Sequence, residues 1–268
     1  MSVPIYDMHA HIFPEKIASR AVSSIGDFYG IHMEEKGYSG DLAAAEKKAG
    51  VKRVLVCSTA TTPLQVSAIN SFIAGEAGRN PGFIGFGSLH PAFDDIPGEI
   101  ERMERSGLRG IKLHPDFQRF AIDDPEAYGI YEAAEGRLPV LFHTGDKRYG
   151  YSNPHRVLRI LKDFPKLTVI CAHLGGYSEW DKVVSLEGYL GHPNIYLDTS
   201  SAIQMMDPAD AAAIIKRHGT DRVFWGTDYP MWDPSTELGN FMRLPLSDDD
   251  KEAILGKNAA RFFGEDTD

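Results

Sequence analysis

The chain has 268 residues, is 43% hydrophobic and 25% charged, and carries a net charge of −10. That length can bury the core of one large barrel or of two small domains, and the composition is that of a globular protein. The negative charge argues against a nucleic-acid backbone or an anionic membrane as the main partner, and no apolar run nears the roughly 20 residues of a membrane span.

Residues 5–11, Ile5-Tyr-Asp-Met-His9-Ala-His11, form the first predicted strand, with no basic and apolar leader of a signal peptide before it. Cys57 and Cys171 fall inside strand-like runs, which predicts buried thiols and a cytoplasmic protein. Residues 12–40 read as an insertion with an amphipathic piece near Glu15–Ile25, and Asp41 as the N-cap of a helix that runs to Ala49 and stops at Gly50. Strand and helix then alternate. The strand Lys52–Ser58 precedes the helix Leu64–Arg79, Phe83–Leu89 precedes Ile96–Ser106, and Gly110–His114 precedes Pro125–Glu135. Val140–His143 precedes Pro154–Phe164, Thr168–His173 precedes Trp180–Leu190, and Ile195–Thr199 precedes Ala209–His218. Val223–Asp228 precedes a last helix over Ser247–Phe263.

Strict alternation implies right-handed crossovers and a parallel sheet. Eight such units predict an α/β fold, a single (β/α)8 TIM barrel with an insertion after strand 1, spanning residues 1–268 as one domain. No glycine-rich dinucleotide fingerprint follows the first strand, and no linker marks a second domain.

In such a barrel the C-terminal strand ends build the active site. Here apolar strands deliver His9 and His11, Lys112 and His114, His143, His173 and Asp228 to those ends, with His90 just after strand 3. Alternate strand residues face one side, so His9 and His11 point the same way and form half of a divalent-metal site. Lys112 and His114 share parity and should both face the interior, whereas Asp7 lies deeper and reads as a buried hydrogen-bonding group. His218 ends a helix, where a cation favours the dipole.

The sequence resembles the amidohydrolase superfamily, and within it the compact amidohydrolase-related barrels. The resemblance rests on Asp7-Met-His9-Ala-His11, Gly110-Ile-Lys112-Leu-His114-Pro115, Leu141-Phe-His143-Thr-Gly145, Ala172-His173-Leu-Gly-Gly176, Trp225-Gly-Thr-Asp228-Tyr-Pro230 and a terminal stretch from Gly256 to Phe263. It implies His9, His11, His143 and Asp228 as metal ligands and His173 as the strand-6 histidine beside the reacting group. Some relatives carboxylate a strand-4 lysine to bridge a second metal through the position of Lys112. Others hold one ion, and one ion is expected here, with Lys112 and His114 contacting the substrate. Zinc is the first expectation from the ligand types, with manganese or iron as alternatives.

An ion held by imidazoles with an open position lowers the pKa of its water to roughly 7. Asp228 then serves as ligand and proton acceptor, and His173 polarises the substrate or shuttles the proton. Arg148, in a basic loop after strand 5, and Arg119 suit a small carboxylate-bearing substrate. The expected partner is therefore a small molecule, with no nucleic acid and no membrane, and a homo-oligomer is compatible with the chain. The leading expectation is a metal-dependent hydrolase of an amide, lactam or lactone. The alternative is a non-oxidative decarboxylase of an aromatic or unsaturated acid, a reaction the family also contains. Known decarboxylases carry a larger insertion, which favours hydrolysis for so compact a chain. A non-catalytic ligand- or metal-binding barrel ranks third.

Overall fold

The computed structural model describes residues 3–33 and 35–265. The expected insertion therefore includes one residue, Glu34, outside the described residues, as are residues 1, 2 and 266–268 of the expected domain.

Eight parallel strands stand in sequence order: β1 (Ile5–His11), β2 (Val51–Cys57), β3 (Phe83–Ser88), β4 (Gly110–Leu113), β5 (Val140–Phe142), β6 (Val169–Cys171), β7 (Ile195–Asp198) and β8 (Val223–Phe224). The ring closes where Met8 N–H donates to Trp225 O, Asp228 N–H to His9 O and His11 N–H to Tyr229 O, at 2.9, 2.7 and 2.6 Å. Gly226 permits that seam, because a Cβ there would lie 3.1 Å from His9 Cβ. The fold is the predicted TIM barrel. The strands are apolar and buried on both faces, as a parallel sheet wrapped in helices requires.

The helices are α1 (Glu15–Tyr29), α2 (Ser39–Ala49), α3 (Val66–Arg79), α4 (Ile96–Arg105), α5 (Pro115–Gln118), α6 (Tyr128–Ala134) and α7 (Pro154–Asp163). After them come α8 (Trp180–Ser185), α9 (Ala202–Met205), α10 (Pro208–His218), α11 (Pro234–Met242), α12 (Asp248–Glu252) and α13 (Asn258–Phe263). Asn153, Asp207 and Asp233 cap α7, α10 and α11 through side-chain oxygens, each followed by a proline at the first helical position.

Several boundaries differ from the sequence expectation. α2 starts at Ser39, so Asp41 is a first-turn acid and not the cap. The last predicted helix is interrupted by a wide turn at Ala253–Lys257, whose Ile254 carbonyl accepts the Trp225 N–H at 3.0 Å. α11, unforeseen, lies against α2 outside β8 and β1. The strands also stop short of the polar residues: β4 and β5 end one residue before His114 and His143, β6 two before His173, and β8 four before Asp228. His173 and Asp228 take left-handed backbone conformations, φ 60° and 65°, which cannot continue a ladder. No helix among the described residues is long and apolar enough to cross a membrane, and both cysteines are buried and free.

Candidate active site

A bulge in β1, where Asp7 to Ala10 opposes Val54 to Val56, sets the direction of His9. His9 Nε2 and His11 Nε2 stand 3.2 Å apart. Asp228 Oδ1 comes from across the seam to 3.3 Å from His11 Nε2 and 3.6 Å from His9 Nε2. Ligand atoms about 2.1 Å from one ion, at tetrahedral or octahedral angles, lie about 3.0–3.4 Å from each other; the His9–His11 and His11–Asp228 separations fall in that range and the His9–Asp228 separation, 3.6 Å, just above it. Burial, and then the Lys112 ammonium, push His9 down to about 4, leaving a neutral imidazole at pH 7. Burial alone would raise Asp228, but the imidazoles of His9, His11 and His173 hold its carboxyl well below the usual range. Burial would lower His11, but Cys57 and the Asp228 carboxylate raise it to about 9, so this corner of the site favours a positive charge beside the carboxylate and fits a cation.

His143 sits on the neighbouring stretch of the rim. Its Nδ1 lies 3.0 Å from His173 Nε2, and its buried Nε2 has no hydrogen-bond partner among the described residues. Burial first, and His114 next, keep it neutral. His9, His11 and Asp228 are thus in mutual contact, while His143 faces the same cavity against His173. Gly145 makes the close packing of these two loops possible: its φ is 87°, and a Cβ there would fall 2.3 Å from the backbone of Gly176.

The sequence reading assigned no role to Asp198 and Ser200, which hold the centre from behind. Asp198 Oδ2 meets His9 Nδ1 at 3.0 Å, and Asp198 Oδ1 accepts the N–H groups of His173 and Ser200 at 3.1 Å each. Ser200 Oγ hydrogen-bonds Asp198 and reaches His9 Nδ1 and His173 Nδ1 at 2.9 and 3.0 Å. Asp198 ends β7 as the other polar residues end theirs, so the signal was present. On the opposite side Trp232 Nε1 donates to Ser201 Oγ at 2.9 Å, and Ser201 Oγ donates to Asp228 Oδ2 at 2.6 Å.

Lys112 Nζ is buried 3.0 Å from His9 Nε2, and burial lowers its pKa. The His114 ring stacks between Phe117 and His143, at centroid distances of 3.7 and 4.1 Å, and its Nε2 meets Tyr29 Oη at 2.9 Å. Tyr29 ends α1, so the insertion supplies part of the site. Arg148 does not line the cavity. Its guanidinium grips the Asp146 carboxylate, donates to Phe28 O at 2.6 Å, and lies 4.4 Å from the Phe28 ring centroid. His90 accepts the Ala92 N–H at 3.1 Å in its own turn and also stays out of the cavity. Asp7 is fully buried, accepting the N–H groups of His9 and Thr227 at 2.9 and 3.0 Å. His218 departs from the expected helix-end cation: its Nε2 meets Ile195 O at 3.0 Å, Nδ1 accepts Gly191 N–H at 3.2 Å, and burial lowers it to about 4.

These strand-end groups floor a cavity of 770 Å3, walled by Phe28, Tyr29 and Phe117 and extending outward between α1 and α3. The amidohydrolase family model matches residues 6–264, nearly the whole chain. The chain belongs to the amidohydrolase family. Similar solved structures share the fold at low identity. An uncharacterised TIM-barrel protein from Bordetella bronchiseptica is 23% identical, with a TM-score of 0.79 over 98% of this chain and 99% of that one. The 5-carboxyvanillate decarboxylase from Novosphingobium aromaticivorans, complexed with manganese and 4-hydroxy-3-methoxy-5-nitrobenzoic acid, is 18% identical, with a TM-score of 0.77 over 98% and 96%. The 2,6-dihydroxybenzoate decarboxylase from Rhizobium is 16% identical, with a TM-score of 0.71 over 98% and 99%.

Proposed function

We propose that this amidohydrolase-family barrel is a metal-dependent, non-oxidative decarboxylase of an aromatic carboxylic acid. The observation that carries the reading is a cation-fitting His9–His11–Asp228 trio under a cavity walled by flat aromatic rings. Two of the similar structures are decarboxylases of phenolic benzoic acids, and this chain spans 96–99% of their length. Compactness therefore does not separate hydrolysis from decarboxylation, and the preference moves to the latter.

His9, His11, His143 and Asp228 would hold one divalent ion, manganese or zinc. When bound there, the ion would supply Lewis-acid charge for the negatively charged oxygens of the substrate. Phe28, Tyr29 and Phe117 position the ring by offset and edge contacts. The Lys112 ammonium adds positive charge at the same depth. A proton drawn from solvent water is relayed through His173 and Asp228 to the ring carbon that bears the carboxylate. The bond to the carboxylate then breaks, its electron pair returns to the ring, and carbon dioxide leaves. His114, pinned by Tyr29 and Phe117, shapes the wall.

The test loads the protein with manganese or zinc and offers phenolic benzoic acids beside lactones and amides. Carbon dioxide release from an aromatic acid is expected. Hydrolysis of a lactone or amide without carbon dioxide release from any acid would overturn decarboxylation in favour of hydrolysis.

A further inference from the structure

The catalytic groups occupy only the floor of the cavity. Its 770 Å3 lies in the range that encloses drug-sized ligands, more than one substituted ring needs. Helix α1 explains the excess. Ala18, Val22 and Gly26, four residues apart, are buried in the protein, while Ile17, Ala21, Ser24, Ile25 and Phe28 share the stripe that lines the cavity. Leu64 and Ile69 line it from the side of α3. Ile17 and Leu64 are 50% and 93% exposed, so an apolar channel runs from the histidines to the surface.

Two cations mark its outer part. Arg20 and Arg119 both line the cavity, both are exposed, and neither has an ion-pair partner among the described residues of this acidic chain. Arg148, in contrast, is neutralised by Asp146. Arg119 also sits at φ 61°, a left-handed conformation that L side chains seldom adopt. A glycine would make that turn without strain, whereas the arginine brings a guanidinium to the cavity mouth.

We propose that the outer cavity is a second subsite for the same substrate molecule: it takes an apolar arm beyond the reacting ring, and Arg20 and Arg119 bind a carboxylate carried on that arm. The substrate class is thus an elongated aromatic diacid. The apolar stripe contributes area in proportion to the surface it covers, and the arginines select the charge. This inference rests on the reading that the histidine centre acts on an aromatic acid.

Equilibrium binding to the manganese-loaded protein tests it without turnover. The probes are 4-hydroxybenzoate, biphenyl-4-carboxylate and biphenyl-4,4′-dicarboxylate. The dicarboxylate should bind about tenfold more tightly than the monocarboxylate of equal length, as charge-assisted contacts to arginine allow, and lose that margin at high salt. Arg20→Gln with Arg119→Gln should erase the margin while leaving 4-hydroxybenzoate affinity unchanged. Leu64→Ser should weaken both biphenyl acids and not the single-ring acid. Equal affinities of the two biphenyl acids in the parent, or a margin that survives the double variant, would overturn the proposal. The two readings fail separately. A protein that ranks these acids as stated and releases no carbon dioxide from any acid loses the decarboxylase reading alone. One that decarboxylates single-ring acids but gains nothing from the arm loses the subsite alone.

Discussion

Asp198→Asn removes one charge from behind His9 and leaves the side-chain shape almost unchanged. In the parent, Oδ2 faces His9 Nδ1 at 3.0 Å and Oδ1 accepts from the His173 and Ser200 amides. The asparagine oxygen must stay with those two N–H donors, so its NH2 group turns toward His9 Nδ1. Two donors cannot face each other, and the imidazole proton moves to Nε2, the nitrogen on the cavity side. An Nε2–H cannot ligate. Losing such an outer partner typically lowers metal affinity by about 10–100-fold, or about 1.4–2.7 kcal/mol. Chelator-competition titration with zinc and manganese would measure this directly, and circular dichroism would check that the fold is kept. A folded Asp198→Asn protein with the parent's affinity for both ions would refute the role given to the carboxylate.

Three further outcomes follow from the same geometry. His173→Asn should keep metal content near that of the parent while kcat falls by about 10²-fold or more, and loss of the metal on elemental analysis would make His173 a ligand. Arg148→Lys keeps a charge near Asp146 but gives up the fork and the stacking on Phe28, so α1 should open more easily by about 1 kcal/mol. Faster amide exchange confined to the C-terminal half of α1 would show it, and unchanged exchange there would count against the clamp. His218 is depressed from 6.5 to about 4, so the stability it contributes is present above pH 6.5 and is lost as pH falls toward 4. At about 1.4 kcal/mol per tenfold change this reaches about 3 kcal/mol, and His218→Gln should flatten the slope of unfolding free energy between pH 6.5 and 4.5. Equal slopes for parent and variant would contradict the neutral buried histidine.

The barrel was readable because the strands are short apolar runs, most of them followed within four residues by a polar group, a pattern that survives without knowledge of the fold. His9, His11, Lys112, His114, His143, His173 and Asp228 do line one cavity. Asp198 carried the same mark near the end of the predicted strand Ile195–Thr199 and was passed over there; it meets His9 Nδ1 from behind. Tyr29 and Arg20 were not legible. Their place depends on how α1 docks across the mouth, a tertiary contact that local periodicity does not encode. Arg148 was misplaced for a related reason: its nearest acid, Asp146, lies only two residues away and takes the guanidinium that the mouth would otherwise receive. His218 reversed its expected charge because a helix end that is buried offers no water to an imidazolium.

Tyr29 and Arg148 tie the C-terminal end of α1 to the barrel through His114 Nε2, the Asp146 carboxylate and the aromatic faces between them. The chemistry and the fit to the substrate are therefore held by different pieces of chain. The strand ends are locked into the hydrogen-bonded ring and tolerate little change. The face of α1 hangs over them like an exchangeable jaw, whose side chains can be redrawn without disturbing a single strand. A lineage that kept the histidines and rewrote the cavity-facing side chains of α1 would change its diet while keeping its catalyst, and a protein engineer could take the same route.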